Sequence, residues 1–351
     1  MSYKVNVSCL QFSLLTAWLL FWLPGSGQPS FGETDQLLKS NQKVLGNNLV
    51  ALVWKDGKMV YQKELQKEIG DFSAKAQAPI GDCGQWMVAA LVMTFVDEGK
   101  LSLDDKVSKF LPLYAKYMKT YITIRNCLSF TTGIQADPSG AMKIIQKSKY
   151  PSLEDEVNSF ASKREIENNP GMEVYYSHVG FNIAGRVLEI IGKKPFDRLM
   201  QERIIRPLKM HGTTFSDENG GAINPSGGGQ STANDYMNFL IMILNNGVFQ
   251  GKRVLSEKAI KEMETPQFTE LPVKFMPKPA AGWHVALGDW VMMSGNSVIG
   301  TINSSGTWAF IDRCRNYAAI IMVRNPQSEP QDNIYRHFKE SIDRQIPPSC
   351  Q

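Results

Sequence analysis

The sequence predicts a mixed α/β fold of the α+β kind, an antiparallel sheet flanked by helices with a helical lobe beside it. Three observations predict it: strand-like runs lie near both ends of the chain, helical periodicity fills the middle, and one helix is apolar on nearly every side. The first run, "LVALVWKDGKMVYQK" at 49–63, reads as a β-hairpin. Two β-rich stretches flank Asp56-Gly57, and Asp-Gly suits the positive φ angles of a tight two-residue turn. Next comes "APIGDCGQWMVAA" at 78–90, a turn-forming entry into a helix. From Trp86 to Val96 that helix has no polar face, so it belongs at the centre of the molecule, and Gly99 is placed to end it.

Residues 113 to 230 read mostly as helix and loop. After Gly180, the residues Phe181, Ala184, Val187, Leu188 and Ile191 recur on one helical face. "STANDYMNFLIMILNNG" is a further amphipathic helix with Ser231 or Thr232 as N-cap and Gly247 as the stop. The preceding "GGGQSTA" reads as a flexible loop feeding the cap at Ser231; without a Lys-Ser/Thr pair or a Rossmann spacing, it does not suggest phosphate binding. The β signal returns in "GTWAFID" and "NYAAIIMVRN", and "NIYRHFKESIDRQI" closes the chain as a helix. Residues 28–351 are therefore expected to form one domain, with an α/β lobe built from both termini and a helical lobe at about 113–230.

Composition excludes some functions. The 351 residues are 43% hydrophobic and 21% charged, an ordinary globular balance, and the net charge of +4 is spread without a basic run. Nucleic acid is not expected as a partner. Residues 1–27 carry one early cation, Lys4, an apolar stretch from Phe12 to Leu23, and a small-residue exit at Gly25-Ser26-Gly27. That order is a signal peptide's, and the stretch is short of the about 20 residues that a membrane-spanning helix needs. A secreted or periplasmic product without a stable membrane span is expected, with an uncleaved anchor as the rival reading. Cys9 lies inside the apolar run rather than at its exit, which argues against lipid attachment. Cys83, Cys127, Cys314 and Cys350 are far apart, with no CxxC, so neither a zinc site nor a dense disulfide framework is suggested. One or two bridges are compatible with export. His211, His284 and His337 are scattered without metal-binding spacing and read as surface or packing residues, so no metal or cofactor is expected.

The order of these landmarks resembles one family. "ALVWKDGKMVY", "PIGDCGQWMVAALVMTFVDEGKLSLDDKVSKFLP", "YITIRNCLSFTTGI", "YYSHVGFNIAGRVLEIIGKKPF", "IIRPLKMHGTTF", "STANDYMNFLIMILNNG" and "GTWAFID" together resemble the serine β-lactamase and penicillin-binding-protein superfamily. The likeness is to its class C β-lactamase, DD-peptidase and esterase-like branch, over about residues 45 to 325. It implies a β-lactamase/transpeptidase-like fold and chemistry based on three elements. These are Ser-x-x-Lys at the head of the central helix, Tyr-x-Asn in the helical lobe, and Lys- or His-x-Gly on an edge strand, with backbone N–H groups stabilising an oxyanion.

In this sequence the serine position falls on Asp82 and the lysine position on Gln85. Tyr176 keeps the tyrosine, His178 replaces its asparagine partner, and the strand motif falls on Thr301-Ile302-Asn303. An acyl-enzyme route needs a nucleophile that can be deprotonated and then masked as an ester. Aspartate, with a reference pKa of about 3.9, is already anionic at neutral pH, and its charge opposes a developing oxyanion. Gln85 cannot carry a proton, and without an ammonium beside it Tyr176 is a weak base. Cys83 sits one step along, about 100° around the helix, and is expected to be a buried inert thiol rather than a substitute nucleophile. Ser40-Asn41-Gln42-Lys43 matches Ser-x-x-Lys by letter, but it precedes the first strand and lacks the helix context.

Two readings of Asp82 stand. In the simpler one it is an N-cap, its oxygen satisfying backbone N–H groups at a helix start. In the other it orients and charges His178, which activates water. The expected function is accordingly an exported hydrolase relative that has lost acyl-enzyme catalysis, with a cleft that binds a peptide, an acylated small molecule or a protein partner. The competing function is an active hydrolase of amide or ester substrates using Asp82, His178 and Tyr176.

Overall fold

Asp56 and Gly57 adopt φ angles of 49° and 84°, the positive pair that a two-residue hairpin turn requires. They join the strands Leu49–Lys55 and Lys58–Leu65. The first of these pairs on its other edge with Tyr317–Val323, Leu49 lying opposite Val323, so the two ends of the chain meet in the middle of one sheet. In spatial order the seven antiparallel strands are Lys58–Leu65, Leu49–Lys55, Tyr317–Val323, Trp308–Asp312, Val298–Ile302, Trp290–Val291 and His284–Val285. The computed structural model describes residue 1 and residues 30–68, 70, 72–136, 150–215, 222–268, 270–292, 297–302, 306–325 and 332–350. The leader, Met1 apart, and Asn303 lie outside the described residues.

Helices cover both faces of the sheet. Trp308 and Phe310 alternate with Ala309 and Ile311 along one strand. The two rings pack on Tyr335 and Phe338 of the last helix, α10 (Asp332–Asp343), which in turn packs on the first, α1 (Gly32–Ser40). The Thr34 and Ser341 hydroxyls, 2.8 Å apart, join those two helices. The central helix, α2 (Cys83–Asp97), is buried at every position from Cys83 to Phe95, as its uniformly apolar sequence requires. Gly99, at φ 67°, closes its last turn by donating to the Val96 carbonyl.

After α2 come the short helices α3 (Pro112–Lys116) and α4 (Ile124–Leu128), then α5 (Leu153–Lys163), α6 (Val179–Gly192) and α7 (Phe196–Met200), of which α6 and α7 pack on α2. α8 (Ala233–Leu244) and α9 (Glu257–Glu264) follow. Thr232, not Ser231, caps α8, accepting from the Asp235 N–H at 3.1 Å. The loop before it is no loose spacer: Gln230–Ser231 pairs with Ala78–Pro79, and Ser226 is fully buried. Backbone pairing and burial, which glycine content does not reveal, hold that segment in place.

The Cys314–Cys350 disulfide ties the C-terminal tail to the turn between two central strands, and Cys83 and Cys127 remain as buried free thiols. Among the described residues no helix is long and apolar enough to cross a membrane, and no group of three or more His, Cys, Asp or Glu could hold a metal ion.

Candidate active-site cleft

The head of α2 is built by a turn that satisfies its own backbone. The N–H groups of Cys83, Gly84 and Gln85 donate to the carbonyls of Ile80, Gly81 and Asp82, at 3.0, 2.9 and 2.9 Å. Asp82 occupies the N-cap position, but with right-handed helical angles (φ −66°, ψ −17°) and no side-chain cap bond. This corrects the capping expectation. An N-cap side chain reaches the N2 or N3 amide from an extended backbone, and here those amides already have carbonyl partners.

The Asp82 carboxylate faces Tyr176 instead. Tyr176 is buried in an aromatic box, its ring 4.8 Å from Phe130 and 5.9 Å from Trp290. Its hydroxyl is pushed well above the ordinary phenol range, first by burial, then by the charge of Asp82 and by hydrogen bonding to it. Among the described residues acting on this phenol there is no cation, and the Gln85 amide pulls the other way. Tyr176 is therefore a neutral donor at physiological pH, not a base.

Gln85 is spoken for on its other side. Its Nε2 donates to Ser226 Oγ at 2.9 Å, and the Ser226 N–H donates to Asn182 Oδ1 at 3.1 Å. Asn182 Nδ2 donates to Glu156 Oε2 at 3.0 Å. A buried polar chain thus runs from α5 through α6 and the Gly-rich loop to the head of α2. Gly288 lets the edge-strand loop close on that helix. At φ 80° it lies against α2, and a Cβ there would fall 2.7 Å from the Gln85 carbonyl oxygen.

Cys83 turns into the core as the helical rotation predicted. Thr301 Oγ1 donates to its sulfur at 3.0 Å, the Tyr236 hydroxyl donates to its carbonyl at 2.8 Å, and the thiol itself is fully buried. Burial pushes the thiol up to about 12, opposed by the Thr301 hydroxyl and reinforced by the nearby Asp82 charge. It is not a nucleophile at neutral pH.

The sequence-derived positions thus divide. Asp82, Gln85 and Tyr176 meet directly, and Thr301 reaches the same helix end through Cys83. His178 heads α6, half-buried, with its ring edge-on to Phe160 at 5.8 Å. Asn303 lies outside the described residues. His211 and His337 are exposed and His284 lies on the sheet edge. Ser40 and Lys43 are exposed at the end of α1.

Sequence reasoning missed Ser226, Asn182 and Asp289. Ser226 was masked by the glycines around it. Asn182 is a polar residue on the buried side of α6, and that interruption of an apolar face was the available signal. Asp289 is fully buried, and apart from its own backbone N–H neither of its carboxyl oxygens has a hydrogen-bond donor among the described residues. Burial, and then the charge of Glu264, push its carboxyl well above the usual range.

A helix with a reactive-residue slot at its head, a tyrosine from a helical lobe and an edge strand beside both is a shared architecture. The family model described as Beta-lactamase matches residues 44–342. The chain belongs to the beta-lactamase family. Across 229 residues it is 26% identical to the D-alanyl-D-alanine-carboxypeptidase/endopeptidase AmpH of Escherichia coli, covering 59% of this chain and 58% of that protein. Protein Rv1367c of Mycobacterium tuberculosis is 24% identical over 273 residues, covering 63% of this chain and 68% of that one. The chain thus spans little more than half the length of the first of these relatives. In fold it is similar to a putative β-lactamase from Bacteroides dorei, with a TM-score of 0.79 and 24% identity over 90% of this chain and 98% of that one. It is also similar to the octameric penicillin-binding protein homologue from Pyrococcus abyssi, with a TM-score of 0.71 and 17% identity over 90% of this chain and 79% of that one.

Proposed function

We propose that this chain is an exported member of the beta-lactamase family that has lost acyl-enzyme catalysis and uses its cleft to bind a peptide or an acylated small molecule. The observation that carries the reading is the contact at the head of α2, where a carboxylate at position 82 faces a phenol too weakly acidic to serve as a base. Gln85, bonded to Ser226, offers no proton to exchange. A carboxylate, a protonated phenol and an amide are each poorly suited to attack an acyl carbonyl, expel its leaving group and hold the acyl group as an ester. Two changed side chains remove the chemistry, and the floor they form is knit into the helical lobe. The ligand class follows from family membership and from a relative named as a D-alanyl-D-alanine carboxypeptidase/endopeptidase. Export is supported by the leader pattern and by the Cys314–Cys350 disulfide, a bond that persists in oxidising compartments.

The test is an assay on chromogenic cephalosporins and short-chain acyl esters, alongside calorimetric titration with acyl-D-alanyl-D-alanine peptides. Saturable binding without turnover is expected. Turnover that disappears in His178→Ala and persists in Cys83→Ala would replace this reading with an active hydrolase built on Asp82, His178 and Tyr176.

A further inference from the structure

Large apolar side chains exposed singly need no explanation, but a cluster of them does. Among the described residues three such side chains fall within one five-residue stretch after α3: Tyr117 at 39% exposure, Met118 at 85% and Tyr121 at 74%. The stretch cannot tuck them inward. The Lys119 N–H donates to the Tyr114 carbonyl at 2.7 Å, and Lys119 Nζ reaches back to the Ala161 carbonyl at 2.7 Å. Tyr114 is itself buried and bonded to the Val157 carbonyl. Met118 sits at φ 59°, the tip of a tight turn. The tip is therefore held rigid with its apolar groups outward.

Cations surround those groups. Lys106 Nζ lies 5.5 Å from the centre of the Tyr121 ring and Lys116 Nζ lies 5.8 Å from that of Tyr117. The nearby carboxylates are matched elsewhere: Asp105 by Lys109 at 2.8 Å and Asp104 by Arg125 at 2.9 Å. The patch thus combines an outward thioether, two phenol rings with polar tips, and two lysines at their edges.

We propose that the Tyr117–Tyr121 loop docks the folded protein on an anionic phospholipid surface. Charge complementarity selects this occupant. Lysine ammonium groups meet lipid phosphates, tyrosine rings suit the headgroup level, and Met118 enters the boundary with the acyl chains. Because the loop is already ordered, little conformational freedom is lost on docking.

The experiment is co-sedimentation of the chain beginning at Gln28, which retains the whole described fold but not the apolar leader. Vesicles of phosphatidylglycerol mixed with phosphatidylcholine are compared with vesicles of phosphatidylcholine alone. Binding to the mixed vesicles only is expected. Lys106→Glu with Lys116→Glu should weaken it more than about twentyfold, at about fivefold per lysine. Met118→Ser with Tyr121→Ser should also weaken it at least tenfold, a loss of about 1.4 kcal/mol. All four positions are on the surface, and an unchanged melting temperature verifies folding. No binding, equal binding to both vesicles, or binding that either variant pair leaves intact would overturn the proposal. Sensitivity to the lysine pair alone would point to a soluble polyanion and would likewise overturn it. None of these outcomes bears on the cleft, so the proposed binding function is tested separately.

Discussion

Asp312, at the end of a central strand, and Asp289, just before an edge strand, are both fully buried carboxyl groups, and the molecule treats them in opposite ways. Asp312 accepts from the Arg315 N–H at 2.9 Å and from Lys339 Nζ at 3.0 Å, and pairs with the Arg315 guanidinium at 3.3 Å. Lys339 also holds Asp343, at 2.6 Å, and Asp343 accepts from the Tyr317 hydroxyl. This seam between α10 and the sheet is closed electrostatically. Asp289, in the loop that Gly288 presses against Gln85, has no cation and, its own backbone N–H apart, no donor for its carboxyl oxygens among the described residues. The difference separates scaffold from site. The paired carboxyl closes a seam of the fold, and the poorly compensated one lies in the loop against the head of α2, beside the candidate site.

The largest effect expected from breaking this contrast is at the closed seam. Lys339→Met leaves Asp312 and Asp343 without their shared ammonium and should destabilise the fold by about 3–5 kcal/mol, the usual consequence of removing one partner of a buried pair. Urea denaturation measures it, and a loss below about 1 kcal/mol would mean that Arg315 alone suffices to neutralise Asp312.

Asp289→Asn should act in the opposite direction, raising stability by about 1–3 kcal/mol at pH 8. The sign follows from linkage. The folded-state pKa is raised above the unfolded value of about 3.9. The native carboxyl thus favours the fold fully below the unfolded pKa, and that contribution declines as pH rises toward the folded one. The gain from asparagine should therefore grow from about pH 4 upward. A pH-independent gain in thermal unfolding would contradict the assignment.

Ser226→Ala is the smallest perturbation. It strips the acceptor from Gln85 Nε2 and should lower stability by about 1–2 kcal/mol without altering the sheet. Comparison with Ser226→Ala in a Gln85→Leu background sharpens the point, since the serine effect should shrink once the amide is gone.

Much of the fold was legible in the sequence because its signals are local. Asp-Gly fixes the hairpin, an all-apolar run fixes α2, and short apolar runs mark the late strands. The slots at Asp82, Gln85 and Tyr176 were legible through motif order. What could not be read was direction. Asp82 looks like a cap in one dimension, and only the backbone angles and the carbonyl partners of the turn at 80–85 show that it is not one. The Glu156–Asn182–Ser226–Gln85 chain joins four separate segments, so no window of sequence contains it. The partner of Cys314 was equally invisible, because pairing depends on where the C-terminal tail lies.

The most direct test of the proposed loss of acylation is the intact mass of the purified chain after exposure to a β-lactam, run beside the Asp82→Ser/Gln85→Lys double variant. The native chain is expected to keep its mass, while the variant gains one drug molecule per chain through the restored hydroxyl and ammonium. A β-lactam adduct on the native chain would contradict the central claim.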